Sequence, residues 1–152
     1  MDISTHPAAP FVLGIVLAWL AGVRVYLTIF GVGLAAYFGW MELPESVALA
    51  KSPVVLVVCG ALAVVEFLTD KLPGVDSVWD LVHTLVRIPA GAFLGGIALP
   101  TDSGEASVAG MVLGGTVAAL SHSLKSGTRA LINTSPEPAS NWTASVAEDG
   151  LV

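Results

Sequence analysis

The chain has 152 residues, enough for one domain, yet 55% of them are hydrophobic and only 12% are charged. A soluble domain carries about a quarter charged residues, so this composition argues against a solvated globular surface and against a disordered chain. Six basic residues against twelve acidic ones give a net charge of -6, which excludes the basic surface that nucleic-acid binding needs. The composition is typical of a membrane protein.

Four apolar stretches approach the roughly 20 residues that a helix needs to cross a bilayer. They cover residues 11–40, 53–69, 78–99 and 106–120. As one helix the first stretch would measure about 45 Å, which is too long for a straight span. Because Gly22 and Arg24 lie near its middle, we predict two half-segments, 11–21 and 25–40, with a break or re-entrant turn between them. The alternative is a single long, tilted helix.

Five of the six basic residues lie inside or against these apolar stretches. An ionisable group at membrane depth costs at least about 2.5 kcal/mol, so it must pair, line a wet cavity or contact a substrate. We expect Arg24 to pair with Glu66 or Asp70. Acidic residues four apart, such as these two, share one helix face.

The remaining polar residues form two stripes at helical spacing. One stripe consists of Asp76, Asp80, His83 and Arg87, and the other of His122, Lys125, Arg129 and Asn133. A polar stripe on an apolar helix is typical of an interior-facing site wall. The alternative is a helix that lies at the membrane surface with its polar side in water.

We therefore expect the ionisable side chains to converge on one buried polar site. The candidate substrate- or ion-binding residues are Arg24, Glu66, Asp70, Lys71, Asp76, Asp80, His83, Arg87, Lys125 and Arg129. We predict no metal and no other cofactor. If a metal is bound, oxygen and imidazole ligands would come from Glu66, Asp70, Asp80 and His83.

Two short segments align without gaps and suggest an internal inverted repeat. In each, a glycine is followed by arginine two positions later, at Gly22 and Arg24 and again at Gly127 and Arg129. Such repeats place a site between two halves, near the bilayer midplane, where half-helices end. We predict an all-α integral membrane protein with about four embedded helical segments, some broken or re-entrant. Its single domain, 1–152, divides into half one (10–72), a linking amphipathic helix (76–99) and half two (105–152).

The run from Glu66 to Arg87, EFLTDKLPGVDSVWDLVHTLVR, and the later motif SPEP at 135–138 resemble the family catalogued as domain of unknown function 4126. The resemblance extends from about residue 18 to residue 149. It implies a small, mainly bacterial integral membrane protein of the cytoplasmic (inner) membrane, with no assigned activity. It also implies a further apolar span after Glu148, so we expect the second half to be incomplete or to be completed by another chain.

Three functions fit these residues. The first is translocation or binding of a small anionic or lipid-phosphate substrate, in which Arg24 and Arg129 would face the anion. The second is an accessory subunit of a larger membrane complex, whose buried ion pairs fix helix register. The third is a metal-assisted membrane enzyme acting on a phosphorylated lipid, although we lean against an enzyme. The expected partners are the bilayer and either other subunits or a second copy of the chain.

Overall fold

The computed structural model describes residues 8–43, 45–72, 74–99, 106–134 and 138–150. All regular structure in these ranges is helical, which confirms the predicted all-α class. The elements are α1 (Ala9–Tyr37), a 3-10 segment (Glu45–Lys51), α2 (Pro53–Thr69), α3 (Val75–Ala98), α4 (Val108–Asn133) and α5 (Pro138–Asp149). By length and apolar composition, two of the described helices, α1 and α3, could cross a membrane, and α2 is a shorter apolar helix. Residues 135–137 of the SPEP motif lie outside the described part of the chain.

Local sequence signals set the helix starts. The Ser52 side chain accepts a hydrogen bond from the Val55 amide at 3.3 Å, and Ser107 accepts one from the Gly110 amide at 3.2 Å. Both serines are N-caps, which satisfy a backbone amide that has no partner inside the helix. Gly74 precedes α3 with φ of 83°, a conformation that favours glycine and lets the chain turn between α2 and α3.

Helix α1 breaks at Arg24, where φ is -144° and ψ is 82°. The first half of α1 packs on α3, since a Cβ on Gly14 would lie 3.8 Å from the Gly95 backbone. The second half also reaches this part of α3, because Val32 and Leu94 line the same small cavity. In a straight helix residues 14 and 32 would lie about 27 Å apart, too far to meet adjacent residues of α3. Helix α1 therefore folds back at Arg24, as the two-segment prediction required.

The internal repeat suggested a second break at Gly127, by analogy with Gly22, and this expectation was wrong. Helix α4 continues through this glycine to Asn133. The two glycines also differ in their surroundings. A Cβ on Gly22 would collide with Ser121 and with the Ala118 carbonyl of α4, whereas a Cβ on Gly127 would meet nothing within 4 Å. Gly22 is thus required by a close helix crossing, and Gly127 is not. The sequence similarity of the two segments does not extend to their local structure.

Glycines bring α3 and α4 into backbone contact. A Cβ added to Gly95 would lie 2.8 Å from the Gly114 Cα, closer than real side chains permit. Gly91 and Gly110 take part in the same crossing. Small residues spaced along two helices allow this close approach.

Most of the described charged side chains lie inside the bundle, and many large apolar side chains lie on its outside. Arg24 is 2% exposed, and Glu66 and Arg87 are completely buried. Leu81 and Leu85, on the outer face of α3, are 75% and 82% exposed. Soluble proteins show the opposite distribution, with charged residues outside and large apolar ones inside.

Candidate functional site

Six buried side chains form a series of ion pairs that alternates in sign. It is called the charge network below, and its members in order of contact are Arg24, Asp70, Lys125, Asp80, Arg87 and Glu66. At one end, Asp70 Oδ2 lies 3.1 Å from Arg24 Nη1 and 2.9 Å from Lys125 Nζ. The predicted pairing of Arg24 with Glu66 or Asp70 is confirmed, with Asp70 as the partner.

At the other end of the charge network, Arg87 holds two carboxylates at once. Its Nη1 lies 2.5 Å from Asp80 Oδ1, and its Nη2 lies 2.5 Å from Glu66 Oε1. Lys125 Nζ joins the two ends, since it also lies 3.5 Å from Asp80 Oδ1. A guanidinium group is suited to this position because its planar fork presents several fixed N–H donors.

The charge network is electrically balanced. Among the described residues it contains three cations and three carboxylates, and each of these six side chains is at most 2% exposed. Its members come from α1, from α2 and the Asp70 that caps it, from α3 and from α4. Because an unpaired buried charge is very costly, this balance fixes the arrangement of the four helices around one point.

Side chains of α4 satisfy the backbone next to the break in α1. Lys125 Nζ donates to the Val23 carbonyl at 3.2 Å, and Ser121 Oγ donates to the Trp19 carbonyl at 2.9 Å. In an unbroken helix these carbonyls would accept from amides four residues later. These side chains supply donors to the backbone beside the break, and Lys125 does so as a member of the charge network, so the two features lie together.

The charge network lies near one end of the bundle. At 1.5 Å per residue, Lys125 is about 25 Å from the start of α4 at Val108, and Asp80 is about 27 Å from the end of α3 at Ala98. Arg24, where α1 folds back, lies at the same height in the bundle, since it contacts Asp70, which also pairs with Lys125. The expected position near the bilayer midplane stays a prediction.

Sequence reasoning missed His122, which lies beside the charge network. Its Nδ1 is 3.1 Å from Arg87 Nη1, and its Nε2 is 2.7 Å from Thr84 Oγ1. Thr84 Oγ1 donates onward to the Asp80 carbonyl at 3.0 Å. These contacts agree if Nδ1 accepts from Arg87 and Nε2–H donates to Thr84, which describes a neutral imidazole. The sequence did contain a signal for this residue, because His122 begins the second polar stripe.

Two predicted residues, Asp76 and Arg129, meet in a separate cluster. Asp76 Oδ1 accepts hydrogen bonds from the Gly74 amide at 3.0 Å, the Ser77 amide at 2.7 Å and Asn133 Nδ2 at 2.9 Å. Its Oδ2 lies 3.9 Å from Arg129 Nη1. A carboxylate in the first turn of a helix is favoured by the helix dipole. This cluster connects the start of α3 to the end of α4.

The last two candidates, Lys71 and His83, lie among aromatic rings. Lys71 Nζ is 3.1 Å from the centre of the Phe67 ring and donates to Ser145 Oγ of α5 at 3.2 Å. His83 donates from Nδ1 to the Trp79 carbonyl at 2.8 Å and stacks on the Trp79 ring at 4.0 Å. The ten predicted residues are all buried, and the contacts among the described residues place six of them in the charge network, two in the cluster at Asp76 and two beside aromatic rings.

A groove leads to Arg24 between the second half of α1 and α2. It has a volume of about 500 Å³ and is lined by Arg24, Leu27, Phe30, Gly60, Ala63, Val64 and Phe67. Arg24 is the charged member of this lining. At Gly60 the groove is narrow, because an added Cβ would lie 3.2 Å from the Phe30 ring. Its volume falls within the range of small-molecule sites, roughly 300–1,000 Å³.

The structure does not assemble the metal ligands named from the sequence. Within the described ranges, no three His, Cys, Asp or Glu side chains form a group that could hold a metal ion. The three carboxylates of that set, Glu66, Asp70 and Asp80, instead accept from arginine or lysine. The residues present therefore fit ion pairing better than metal coordination.

Comparison with known protein families gives a match over most of the chain. Residues 11–152 match the family described as domain of unknown function (DUF4126). No curated protein and no solved structure matches the chain. The matched region includes the charge network, the break in α1 and the groove. The chain belongs to the DUF4126 family.

Proposed function

We propose that this is an integral membrane protein that binds an amphipathic anion and carries it into or across the bilayer. The embedded part comprises α1, which is re-entrant, together with α2, α3 and α4. The inverted distribution of side chains supports this, since Leu81, Leu85 and Val57 face outward while the charges are buried. Large exposed apolar surfaces of this kind are covered by lipid or protein.

The groove that ends at Arg24 is the observation that carries the proposal. Its other lining residues, such as Leu27, Ala63 and Phe67, are apolar. An apolar chain can lie along this wall, and an anionic group at the end of that chain can reach the guanidinium. Binding sites commonly combine an apolar lining with a few placed polar groups.

The ligand chemistry is an apolar chain with one anionic head. A fatty carboxylate and a lipid phosphate share this chemistry, whereas inorganic phosphate lacks the chain. Arginine binds carboxylate and phosphate alike through paired N–H donors. Because the groove is mostly apolar, we expect the chain to supply most of the affinity and Arg24 to select for the charge.

Equilibrium binding to the purified full chain in nanodiscs of zwitterionic lipid tests this proposal. The probes are radiolabelled laurate, a lysophosphatidate and inorganic phosphate. We expect saturable binding of one or both chain-bearing anions and none of inorganic phosphate. Arg24→Gln should weaken binding at least tenfold, since it removes the cation at the end of the groove.

Two further variants separate loss of the site from loss of the fold. Ala63→Trp fills the groove without changing the charge network, so it should also abolish binding. Lys51→Gln removes an exposed cation outside the groove and should bind like the wild type. Equal binding by all variants, or no saturable binding by the wild type, would overturn the proposal.

An accessory role in a membrane complex is a second candidate, favoured by the balanced charge network. In the described part of the chain, three cations and three carboxylates pair with one another without any ligand. Native mass spectrometry of the protein extracted in mild detergent tests this role. A complex of fixed stoichiometry with another chain, together with no anion binding, would favour the subunit over the carrier.

A further inference from the structure

We infer that anion binding at Arg24 is coupled to the uptake of one proton by Asp70. This inference rests on the proposed function and adds a coupling ion to it. The starting point is that the residue at the end of the groove, Arg24, is already paired. Its Nη1 lies 3.1 Å from Asp70 Oδ2, so an anion that reaches the guanidinium competes with this carboxylate.

Asp70 depends on Arg24 more than the other network carboxylates do. The same oxygen, Oδ2, contacts both Arg24 and Lys125. Its second oxygen, Oδ1, is buried and accepts no hydrogen bond among the described residues. Glu66 and Asp80, by contrast, each contact Arg87, which lies away from the groove.

Charge balance then requires that a proton be taken up when the anion binds. The six described side chains of the charge network balance before binding, so an incoming monoanion would add one uncompensated negative charge to them. An uncompensated buried charge is strongly unfavourable and is usually removed by protonation. Asp70 is the carboxylate that loses a cation, so it is the one expected to take up a proton from solvent.

The groups that face Asp70 from the surrounding helices make this choice specific. Arg24 contacts Asp70 from α1, and Lys125 contacts it from α4. Asp80 of α3 contacts the same ammonium group of Lys125. Glu66 lies one turn earlier on α2. Once the anion holds Arg24, Lys125 is shared between Asp70 and Asp80. Protonation of Asp70 leaves Lys125 to Asp80 and restores neutrality, with one O–H bond formed.

Calorimetric titration with decanesulfonate measures the coupling directly. A sulfonate stays charged throughout the range of the experiment, so any proton taken up belongs to the protein. Binding enthalpies in two buffers of different ionisation enthalpy give the number of protons. We expect about one proton per sulfonate bound, and a Kd that rises about tenfold per pH unit where Asp70 is ionised before binding.

Asp70→Asn and Glu42→Gln serve as the variant and its matched control. Asp70→Asn supplies a permanently neutral side chain, so proton uptake should fall to zero and the Kd should no longer depend on pH. Glu42→Gln makes the same carboxylate-to-amide change at an exposed position outside the charge network and should leave proton uptake unchanged. Wild-type stoichiometry alone tests the inference should either variant misfold.

The outcomes separate this inference from the proposed function. Sulfonate binding without proton uptake by the wild type would overturn the coupling and leave the carrier proposal intact. Proton uptake that persists in folded Asp70→Asn would overturn the assignment to Asp70. No binding of any chain-bearing anion would overturn both.

Discussion

Replacing Arg87 with glutamine removes the cation that holds two carboxylates of the charge network. In the wild type its guanidinium contacts Glu66 and Asp80 at 2.5 Å each, and all three side chains are at most 1% exposed. Arg87→Gln therefore leaves a buried excess of one negative charge. Lys125 remains near Asp80 at 3.5 Å, but Glu66 loses its contact with a cation at Arg87.

The expected cost follows from the burial of this pair. Breaking a buried ion pair by removing one partner costs about 3–5 kcal/mol. That is a change of more than about a hundredfold in the unfolding equilibrium. The double variant Arg87→Gln with Glu66→Gln restores neutrality, so it should recover most of the lost stability. A neutral replacement of a whole buried pair is often nearly without cost.

Unfolding by sodium dodecyl sulfate in mixed micelles, followed by tryptophan fluorescence, measures these free energies. The four tryptophans provide the signal. Lys51→Gln is the matched control, because it makes the same change in charge at an exposed position outside the charge network. We expect the control to unfold within about 0.5 kcal/mol of the wild type. Costs that simply add in the double variant would refute the charge-balance argument.

Three further predictions test the packing, the histidine and the break. Gly95→Ala should lower the free energy of unfolding by about 1–3 kcal/mol, because the added Cβ would collide with the α4 backbone. Gly31 has open space around it, so Gly31→Ala should be neutral or stabilising. Equal effects of the two substitutions would contradict the close crossing of α3 and α4. Nitrogen-15 NMR at pH 7 should find His122 neutral with the proton on Nε2, and an imidazolium or an Nδ1–H ring would be inconsistent with its contacts. In a cysteine-free background, Ala8→Cys and Trp40→Cys should react with an impermeant maleimide from the same side of the membrane, because α1 folds back. Labelling from opposite sides would contradict the re-entrant path.

The sequence predicted features that depend on position along one helix. The break in α1 was predictable because Gly22 and Arg24 interrupt a stretch too long for one span. The pairing of Arg24 was also predictable, since a buried guanidinium requires a carboxylate. These inferences need only length, burial and charge.

Features that depend on how helices face each other were not predictable. Spacing places Asp76 and Asp80 on one stripe, yet the first contacts Arg129 and the second Arg87 and Lys125. Helical periodicity gives the face of a helix but not the axial position of its neighbour. For the same reason His122 was missed, because its role depends on Arg87 of α3 lying at the same level.

The break and the charge network occupy one place because each lowers the cost of the other. A break exposes backbone carbonyls that need donors, and Lys125 supplies one to Val23 while it also pairs with Asp70. Without carboxylates to balance its charge, the Lys125 side chain would not stay buried at this position. A substitution at this point therefore changes fold and binding together unless the net charge is preserved. Charge-balanced double variants are consequently the means to separate the two effects, since they retain the buried neutrality that holds the break in place.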